Sequence, residues 1–211
     1  MNNTDKSKIP AQTAPDKPEP PGKVKIAEAL KTLLTEKDFN SITTAEISRV
    51  AGVNEALIYR YFGDKRGLLH QVLSEYTLMF IDHVKEDIKD VVDPVVKLEK
   101  LIQCHFYYYQ KNHIFAKILL LEVRNFPGYF ESETYQIVRK YADMLLTIIE
   151  EGVAMDKFRN DIPAKDLRQI IIGGIEHLSL PCVIFKKEIS HEELSEKLCG
   201  TLFKGILTNP R

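Results

Sequence analysis

Apolar residues recur at helical spacing along nearly the whole chain that follows residue 22. In the first segment, Ile26, Leu30 and Leu33 mark one stripe of an amphipathic helix. No segment alternates apolar and polar residues as a half-buried strand does, so the sequence predicts an all-α fold of about nine helices. The further helices are predicted from the same spacing, from capping residues and from Gly or Pro breaks, and they cover residues 45–50, 55–61, 65–90, 94–111, 114–124, 131–153, 164–187 and 191–207.

The second and third helices are short and lie close together in the sequence, with Ala51-Gly52-Val53 between them. Gly52 supplies the backbone freedom for a sharp turn, and the pattern is typical of a helix-turn-helix. The residues that we expect to form its small core are Leu30, Leu34, Ile47, Val50, Ala51, Ile58 and Phe62. The residues left to face outward are Asn54, Glu55, Ala56, Leu57, Tyr59 and Arg60. An exposed Leu-x-Tyr-Arg is unusual for a plain solvent face and suits a helix that reads a DNA groove.

The stretch from Thr43 to Leu69 resembles the DNA-binding signature of the TetR/AcrR family of transcriptional regulators. The threonine cap, the Ala-Gly-Val turn, the Ile-Tyr-x-Tyr-Phe run and the lysine that follows stand in register with it. The match covers about residues 22–69. The resemblance implies a homodimer with a DNA-binding head at 22–69 and a divergent ligand-binding and dimerisation domain at 70–211. A helix-turn-helix adaptor that contacts protein or RNA, without a small-molecule effector, is the alternative.

The resemblance also implies a role for individual residues on double-stranded operator DNA. Phosphate contacts are expected from Thr44, Tyr59, Tyr61 and Lys65. The major groove is expected to be faced by Asn54, Glu55, Ala56, Leu57 and Arg60. Arg60 suits a bidentate guanine contact, although a phosphate contact is equally open, and Tyr61 could belong partly to the core. Glu55 departs from the family pattern, because a carboxylate repels phosphate; it could accept a hydrogen bond from cytosine instead.

Composition and charge exclude several classes of protein and agree with a DNA-binding regulator. The chain has 211 residues and a net charge of -1, which excludes a generally cationic nucleic-acid binder. Residues 1–69 carry 11 basic and 9 acidic groups, a weakly basic balance that suits a head. Residues 1–21 hold five of the ten prolines and are expected to be a disordered tail. Without a signal peptide, a long apolar run or a disulfide framework, a cytoplasmic protein outside the membrane is expected.

Catalytic and metal-binding motifs are absent from the sequence. None of the six histidines belongs to an HExxH motif, and neither a Walker loop nor GxGxxG occurs. Cys104 and His105 are adjacent, so their side chains diverge on a helix and a catalytic dyad is not expected. We therefore predict a regulator rather than an enzyme, with no cofactor and no metal.

The C-terminal part of the sequence is rich in aromatic residues, including the run from Phe106 to Tyr109. Rings and methionines on several helices favour an apolar pocket with a few polar groups, for a fatty acyl or aromatic effector. Ordinary core packing is the alternative for each residue alone. The residues predicted to bind the effector are Met79, Phe80, Tyr108, Phe115, Leu119, Arg124, Phe126, Met144 and His177.

The last two helices are expected to pair with a second subunit. The residues predicted at this interface are Gly173, Gly174, Leu178, Val183, Leu198 and Leu202, with intramolecular core as the alternative. Two heads must sit about one helical turn of DNA apart, roughly 34–36 Å. An effector that tilts the long helix 65–90 would change this separation and release the DNA. A repressor is favoured over an activator by the resemblance.

Overall fold

The computed structural model describes residues 19–185, 187 and 190–208, so nearly all of the predicted tail 1–21 lies outside the described residues. The all-α prediction is confirmed: apart from one isolated bridge between Phe158 and Leu207, the regular structure in the described part of the chain is helical. Its α-helices are α1 (Pro21–Glu36), α2 (Thr44–Ala51), α3 (Ala56–Phe62), α4 (Lys65–Ile88), α5 (Pro94–Lys111), α6 (His113–Lys117), α7 (Glu133–Ala154), α8 (Ala164–Phe185) and α9 (His191–Ile206).

Short polar side chains begin several of these helices. Thr43, rather than Thr44, caps α2, because its hydroxyl accepts a hydrogen bond from the backbone N–H of Glu46 at 3.1 Å. Asp64 caps α4 and Ser190 caps α9 in the same way. Gly52 ends α2 in the left-handed conformation, with φ of +63°, which is the turn that the sequence predicts.

Two hydrophobic cores share the long helix α4. The N-terminal core packs α1, α2 and α3 against the first part of α4, and Ile26, Leu30 and Ile58 are fully buried in it. The C-terminal core packs the second part of α4 against α5, α7, α8 and α9. Val50, which we expected in the N-terminal core, is 44% exposed. The buried face of α2 is centred on Ile47 and Ser48, and Val50 lies about 100° away around the helix.

The predicted single helix over 114–124 is wrong. In its place α6 ends at Lys117, a π-helical turn covers Ile118–Glu122, and a 3-10 turn covers Val123–Asn125. The irregular winding has a packing reason, because neighbouring residues must enter different cores. Ile118 and Val123 insert into the N-terminal core, whereas Leu120 packs with Val183 of α8 in a small separate cluster. A regular period of 3.6 residues does not place these side chains on the required sides.

Helix α8 is the one described helix that is long and apolar enough to cross a membrane by composition, with a mean hydropathy of 1.3 in its most apolar window. One such helix is weak evidence, since a core helix passes the same test. Leu167, Ile171 and Ile175 of α8 are at most 1% exposed and belong to the C-terminal core.

Candidate nucleic-acid interface and ligand cavity

The outward face of the head is formed by α3 and the beginning of α2. Asn54, Ala56, Tyr59 and Arg60 are exposed there, and the Tyr59 side chain is 52% exposed. The hydroxyl of Thr44 lies 3.4 Å from that of Tyr59. Two side chains that are predicted to contact DNA phosphates therefore lie next to each other, although they belong to different helices. This face can offer hydroxyl donors, an amide and a guanidinium to a duplex.

Three other predicted contacts are less available. Glu55 and Tyr61 are half-buried, and Leu57 is half-buried against the N-terminal core beside Gly22. The prediction that Leu57 simply faces outward is therefore wrong: α3 is short, and its apolar side chains must close the gap between α1 and α4. For Tyr61 the structure favours the partly buried alternative, since its ring packs edge-on to Phe62.

Lys65 also differs from the expectation. Its ammonium donates hydrogen bonds to the backbone carbonyls of Phe39 at 3.0 Å and Ile42 at 2.6 Å, and it lies 4.4 Å from the centre of the Phe39 ring. Burial lowers the pKa of Lys65. In this structure the side chain ties α4 to the segment before α2 instead of projecting toward a phosphate.

The candidate ligand cavity lies between α4, α5, α6, α7 and α8 and has a volume of about 60 Å³. Five of the nine predicted effector residues line it, namely Phe80, Tyr108, Phe115, Leu119 and Arg124. Its other walls include Leu73, Tyr76, Thr77, His105, Tyr109, Ala116, Val138, Tyr141, Ala142, Ile172 and Glu176. Rings pack closely around it, and the Tyr76 and Phe115 rings are stacked with their centres 4.4 Å apart.

The remaining four predicted effector residues lie elsewhere. Met79 is 57% exposed and His177 is exposed, because each lies on the outer side of its helix. Phe126 lies under the guanidinium of Arg66, which is 3.6 Å from the ring centre. Met144 packs against the C-terminal core. Aromatic and methionine content predicted the region of the chain in which the cavity lies, but it did not distinguish the two sides of α4 and α7.

Two polar pairs are built into the cavity wall. Arg124 donates two hydrogen bonds to Glu176, at 2.9 and 2.6 Å, and this pairing raises the pKa of the guanidinium. His105 Nδ1 shares a hydrogen bond of 2.6 Å with the hydroxyl of Tyr141. Burial lowers the pKa of His105 to about 3, so its imidazole is neutral.

The sequence analysis missed His105, Tyr141 and Glu176 as cavity residues. A signal for two of them was present, since His105 and Tyr141 each interrupt a stripe of apolar residues with a polar one. Leu98 and Leu101 precede His105 on the buried side of α5, and Ile137 and Leu145 flank Tyr141 on α7. A polar side chain on a buried helix face requires a partner, which here is the other helix or a ligand.

An open groove between α7 and α8 adjoins the cavity. The groove and the cavity share Val138, Ala142, Ile172 and Glu176 as walls. Arg139 and Arg168 lie along the groove, and Arg168 is 3.6 Å from Asp143. The groove therefore places charged side chains beside a cavity whose lining is largely apolar.

The predicted dimer residues fall into two groups. Gly173 is exposed on α8 with open space around it, whereas Gly174 faces Leu198 of α9 and permits the close approach of these two helices. Leu178, Val183, Leu198 and Leu202 pack within the subunit, and Val183 is only 3% exposed. For buried Val183 and Leu202 the structure supports the intramolecular alternative, whereas Leu178 and Leu198 are only partly buried.

The sequence matches two families that together span residues 26–205. Residues 26–72 match "Bacterial regulatory proteins, tetR family", and residues 73–205, more than half of the chain, match "YsiA-like protein, C-terminal region". This chain belongs to the TetR family. It is a ligand-responsive, DNA-binding transcriptional regulator, as the sequence predicted.

Individual TetR-family relatives resemble the chain along most of its length. The fatty acid metabolism regulator protein of Bacillus subtilis is 26% identical over 186 residues, 88% of this chain and 96% of the relative. The transcriptional repressor NicS of Pseudomonas putida is 29% identical over 141 residues, covering 65% of this chain and 66% of NicS. The structure of FadR from Bacillus subtilis in complex with stearoyl-CoA superposes with a TM-score of 0.78 at 26% identity, covering 87% of this chain and 98% of FadR.

Within the described residues, no group of three or more His, Cys, Asp or Glu side chains is placed to hold a metal ion. The families and relatives that match are regulators of transcription.

Proposed function

We propose that the protein is a homodimeric repressor that leaves its operator when a long-chain acyl-CoA thioester binds to each subunit. The observation that carries this proposal is the aromatic cavity with charged side chains beside it. An apolar interior joined to a charged groove suits a ligand with a fatty tail and an anionic head. The relative that was solved with stearoyl-CoA supports the same ligand class.

The groove between α7 and α8 is the access route that we infer for the ligand. An acyl tail would pass between Ala142 and Ile172 into the cavity, beside the Arg124–Glu176 pair. Arg139 and Arg168 lie along the same groove, where the phosphates of coenzyme A would remain outside. Arginine suits phosphate because its guanidinium presents several donors in a fixed plane.

The cavity is too small for a long acyl chain in the conformation described. It measures about 60 Å³, which is room for only a few water molecules. The ligand would therefore bind a more open conformation, which is the differential binding that an allosteric switch requires. The segment from His113 to Asn125 is the element that we expect to move, since it contains the π-helical turn.

The same segment supplies the coupling to DNA. Phe115 and Leu119 line the cavity, while Ile118, Val123 and the later Tyr129 insert into the N-terminal core. Movement of this segment would therefore displace the helices of the DNA-binding head that pack against it. Helix α4 spans both regions, because Leu68 belongs to the N-terminal core and Phe80 to the cavity. A small rotation of α4 would then alter the spacing of the two heads.

The homodimer is supported by apolar side chains left outside on α8. Ile170 is 60% exposed, Ile184 44% and Phe185 69%. Ile184 and Phe185 are adjacent in the sequence, and exposed apolar residues that lie together mark association surfaces. Sedimentation at micromolar concentration should give a dimer, and Ile170→Glu should shift it toward monomer. A wild-type monomer that still binds palindromic DNA would contradict this part of the proposal.

The decisive experiment measures DNA release. A duplex selected from random sequence with the purified full-length protein is labelled, and its affinity is measured with palmitoyl-CoA, coenzyme A or palmitate present. We expect palmitoyl-CoA alone to weaken binding by at least about tenfold, the ~1.4 kcal/mol that lies within ordinary allosteric coupling. Unchanged DNA affinity with palmitoyl-CoA would overturn the proposal, and so would tighter DNA binding, because the ligand would then hold the protein on its operator.

A variant pair ties the response to the cavity. Ala142→Phe places a ring where the groove meets the cavity, whereas Ala154→Phe places the same ring on an exposed position at the end of α7. Both should bind the selected DNA like the wild type. Only Ala142→Phe should lose the response to palmitoyl-CoA, and equal responses in the two variants would place the ligand elsewhere.

A further inference from the structure

The inner part of the cavity contains hydrogen-bonding groups that a plain hydrocarbon tail does not use. Among the described residues, neither Nε2 of His105 nor the hydroxyl of Tyr76 has a hydrogen-bond partner, although both atoms are buried. His105 is 4% exposed, and both residues line the cavity. A buried polar atom without a partner costs free energy, so two such atoms on residues that line one cavity indicate a ligand with matching polar atoms.

The surroundings fix what kind of atom can pair with His105. The ring lies between Phe80, at a centroid distance of 5.1 Å, and Tyr109, at 4.4 Å, and its Nδ1 is held by Tyr141. The neutral imidazole either donates from Nε2 or accepts there, according to which nitrogen bears the proton. A hydroxyl group can match both cases, because it donates and accepts. A carboxylate is disfavoured, since its charge would be buried among aromatic rings.

Tyr76 offers a second contact on the opposite helix. Its ring is fixed by stacking on Phe115, and its backbone carbonyl accepts a hydrogen bond from the Tyr108 hydroxyl at 2.8 Å. The phenolic oxygen is thereby held in the cavity wall on α4, while His105 projects from α5. Each of the two groups can take an oxygen atom of the ligand as its hydrogen-bond partner.

We infer that the preferred effector is an oxygenated acyl chain, with a hydroxyl or keto oxygen on its tail that hydrogen-bonds to His105 Nε2 and the Tyr76 hydroxyl. This inference rests on the proposed function and specifies its ligand. The thioester head group would lie in the groove in either case, so the saturated and oxygenated chains differ only at the oxygenated carbon of the tail.

The test compares palmitoyl-CoA with hydroxypalmitoyl-CoA isomers that carry the hydroxyl at position 3, 12 or 16. Binding to the full-length protein is measured by calorimetry and by release of the selected DNA. We expect at least one isomer to bind about tenfold more tightly than palmitoyl-CoA, the gain of one well-placed buried hydrogen bond. Equal affinity of all the isomers and palmitoyl-CoA overturns the inference while leaving the proposed function intact. If palmitoyl-CoA and every isomer fail to bind, both are overturned.

Variants assign the preference to the named atoms. His105→Phe keeps a ring in the same place and removes Nε2, and it should abolish the preference for the hydroxylated chain while palmitoyl-CoA still binds. Tyr76→Phe should reduce the preference without abolishing it. His83→Phe is the matched control, because His83 is an exposed histidine on α4 outside the cavity. Melting temperatures verify that each variant is folded, and a preference retained by folded His105→Phe would overturn the assignment.

Discussion

In the head, the ammonium of Lys65 donates to two backbone carbonyls, and the side chains of Thr43 and Asp64 accept from helix N-termini. In the effector half (residues 70–211), His105 and Tyr76 each have a buried polar atom that forms no hydrogen bond with a described residue. The polar groups of the head thus stabilise a single conformation, which a rigid DNA-binding surface requires. The effector half leaves hydrogen-bonding capacity at the cavity, where a ligand can use it. Departures from full internal satisfaction are expected at functional sites.

The largest expected effect tests how closely the head is joined to α4. A Cβ added at Gly67 would lie 1.9 Å from the backbone oxygen of Phe62, a clash that only main-chain movement relieves. Gly67→Ala should therefore destabilise the protein by about 3 kcal/mol, as overpacking does. Chemical denaturation measures the loss, with Gly128→Ala as the control because nothing lies within 4 Å of its added Cβ. A melting temperature unchanged by Gly67→Ala would show that the start of α4 does not pack tightly against the end of α3.

Next in size is the effect of replacing the half-buried Lys65 in the head. Lys65→Met keeps the length of the side chain but leaves the carbonyls of Phe39 and Ile42 without their donor. We expect a loss of about 2 kcal/mol in the free energy of unfolding. Arg60→Met, at an exposed position on α3, should weaken DNA binding and leave stability unchanged. If Lys65→Met instead only lowers the salt dependence of DNA binding, its main role is the phosphate contact that the resemblance implied.

The effector half should show its own signature in acid. The folded pKa of His105, about 3, lies below the unfolded value of 6.5, so the unfolded chain takes up the proton first. The stability that depends on neutral His105 is complete above pH 6.5 and is lost as the pH falls toward 3. Between pH 7 and 5.5 the wild type should lose about 1 kcal/mol more than His105→Phe. Equal losses would mean that this imidazole is not buried in solution, and His83→Phe should behave like the wild type.

The contrast between the two halves also explains what the sequence could predict. The helix-turn-helix depends on local signals, such as Gly52 at a turn and a threonine cap, and these were readable to within a residue. The cavity depends on which side of α4 meets α5 and α7, and this is set by long-range packing. Phe80 and Met79 are adjacent in sequence, yet one lines the cavity and the other is exposed. The internal hydrogen bonds of Lys65 could not be predicted for the same reason, since its partners Phe39 and Ile42 precede it by more than twenty residues.

The smallest expected effect concerns the surface where the two halves meet. Lys117, at the end of α6, pairs with Asp38 of the head at 2.8 Å, but the Asp38 side chain is 73% exposed. Exposed ion pairs contribute little, because water and salt screen both charges. Asp38→Asn should leave both the melting temperature and the palmitoyl-CoA response unchanged. Ile118→Val, which removes one methyl group from the buried part of the same junction, should cost about 1 kcal/mol. If Asp38→Asn has the larger effect on DNA release, the cavity is coupled to the head by the Lys117–Asp38 ion pair rather than by the apolar packing of Ile118 and Val123.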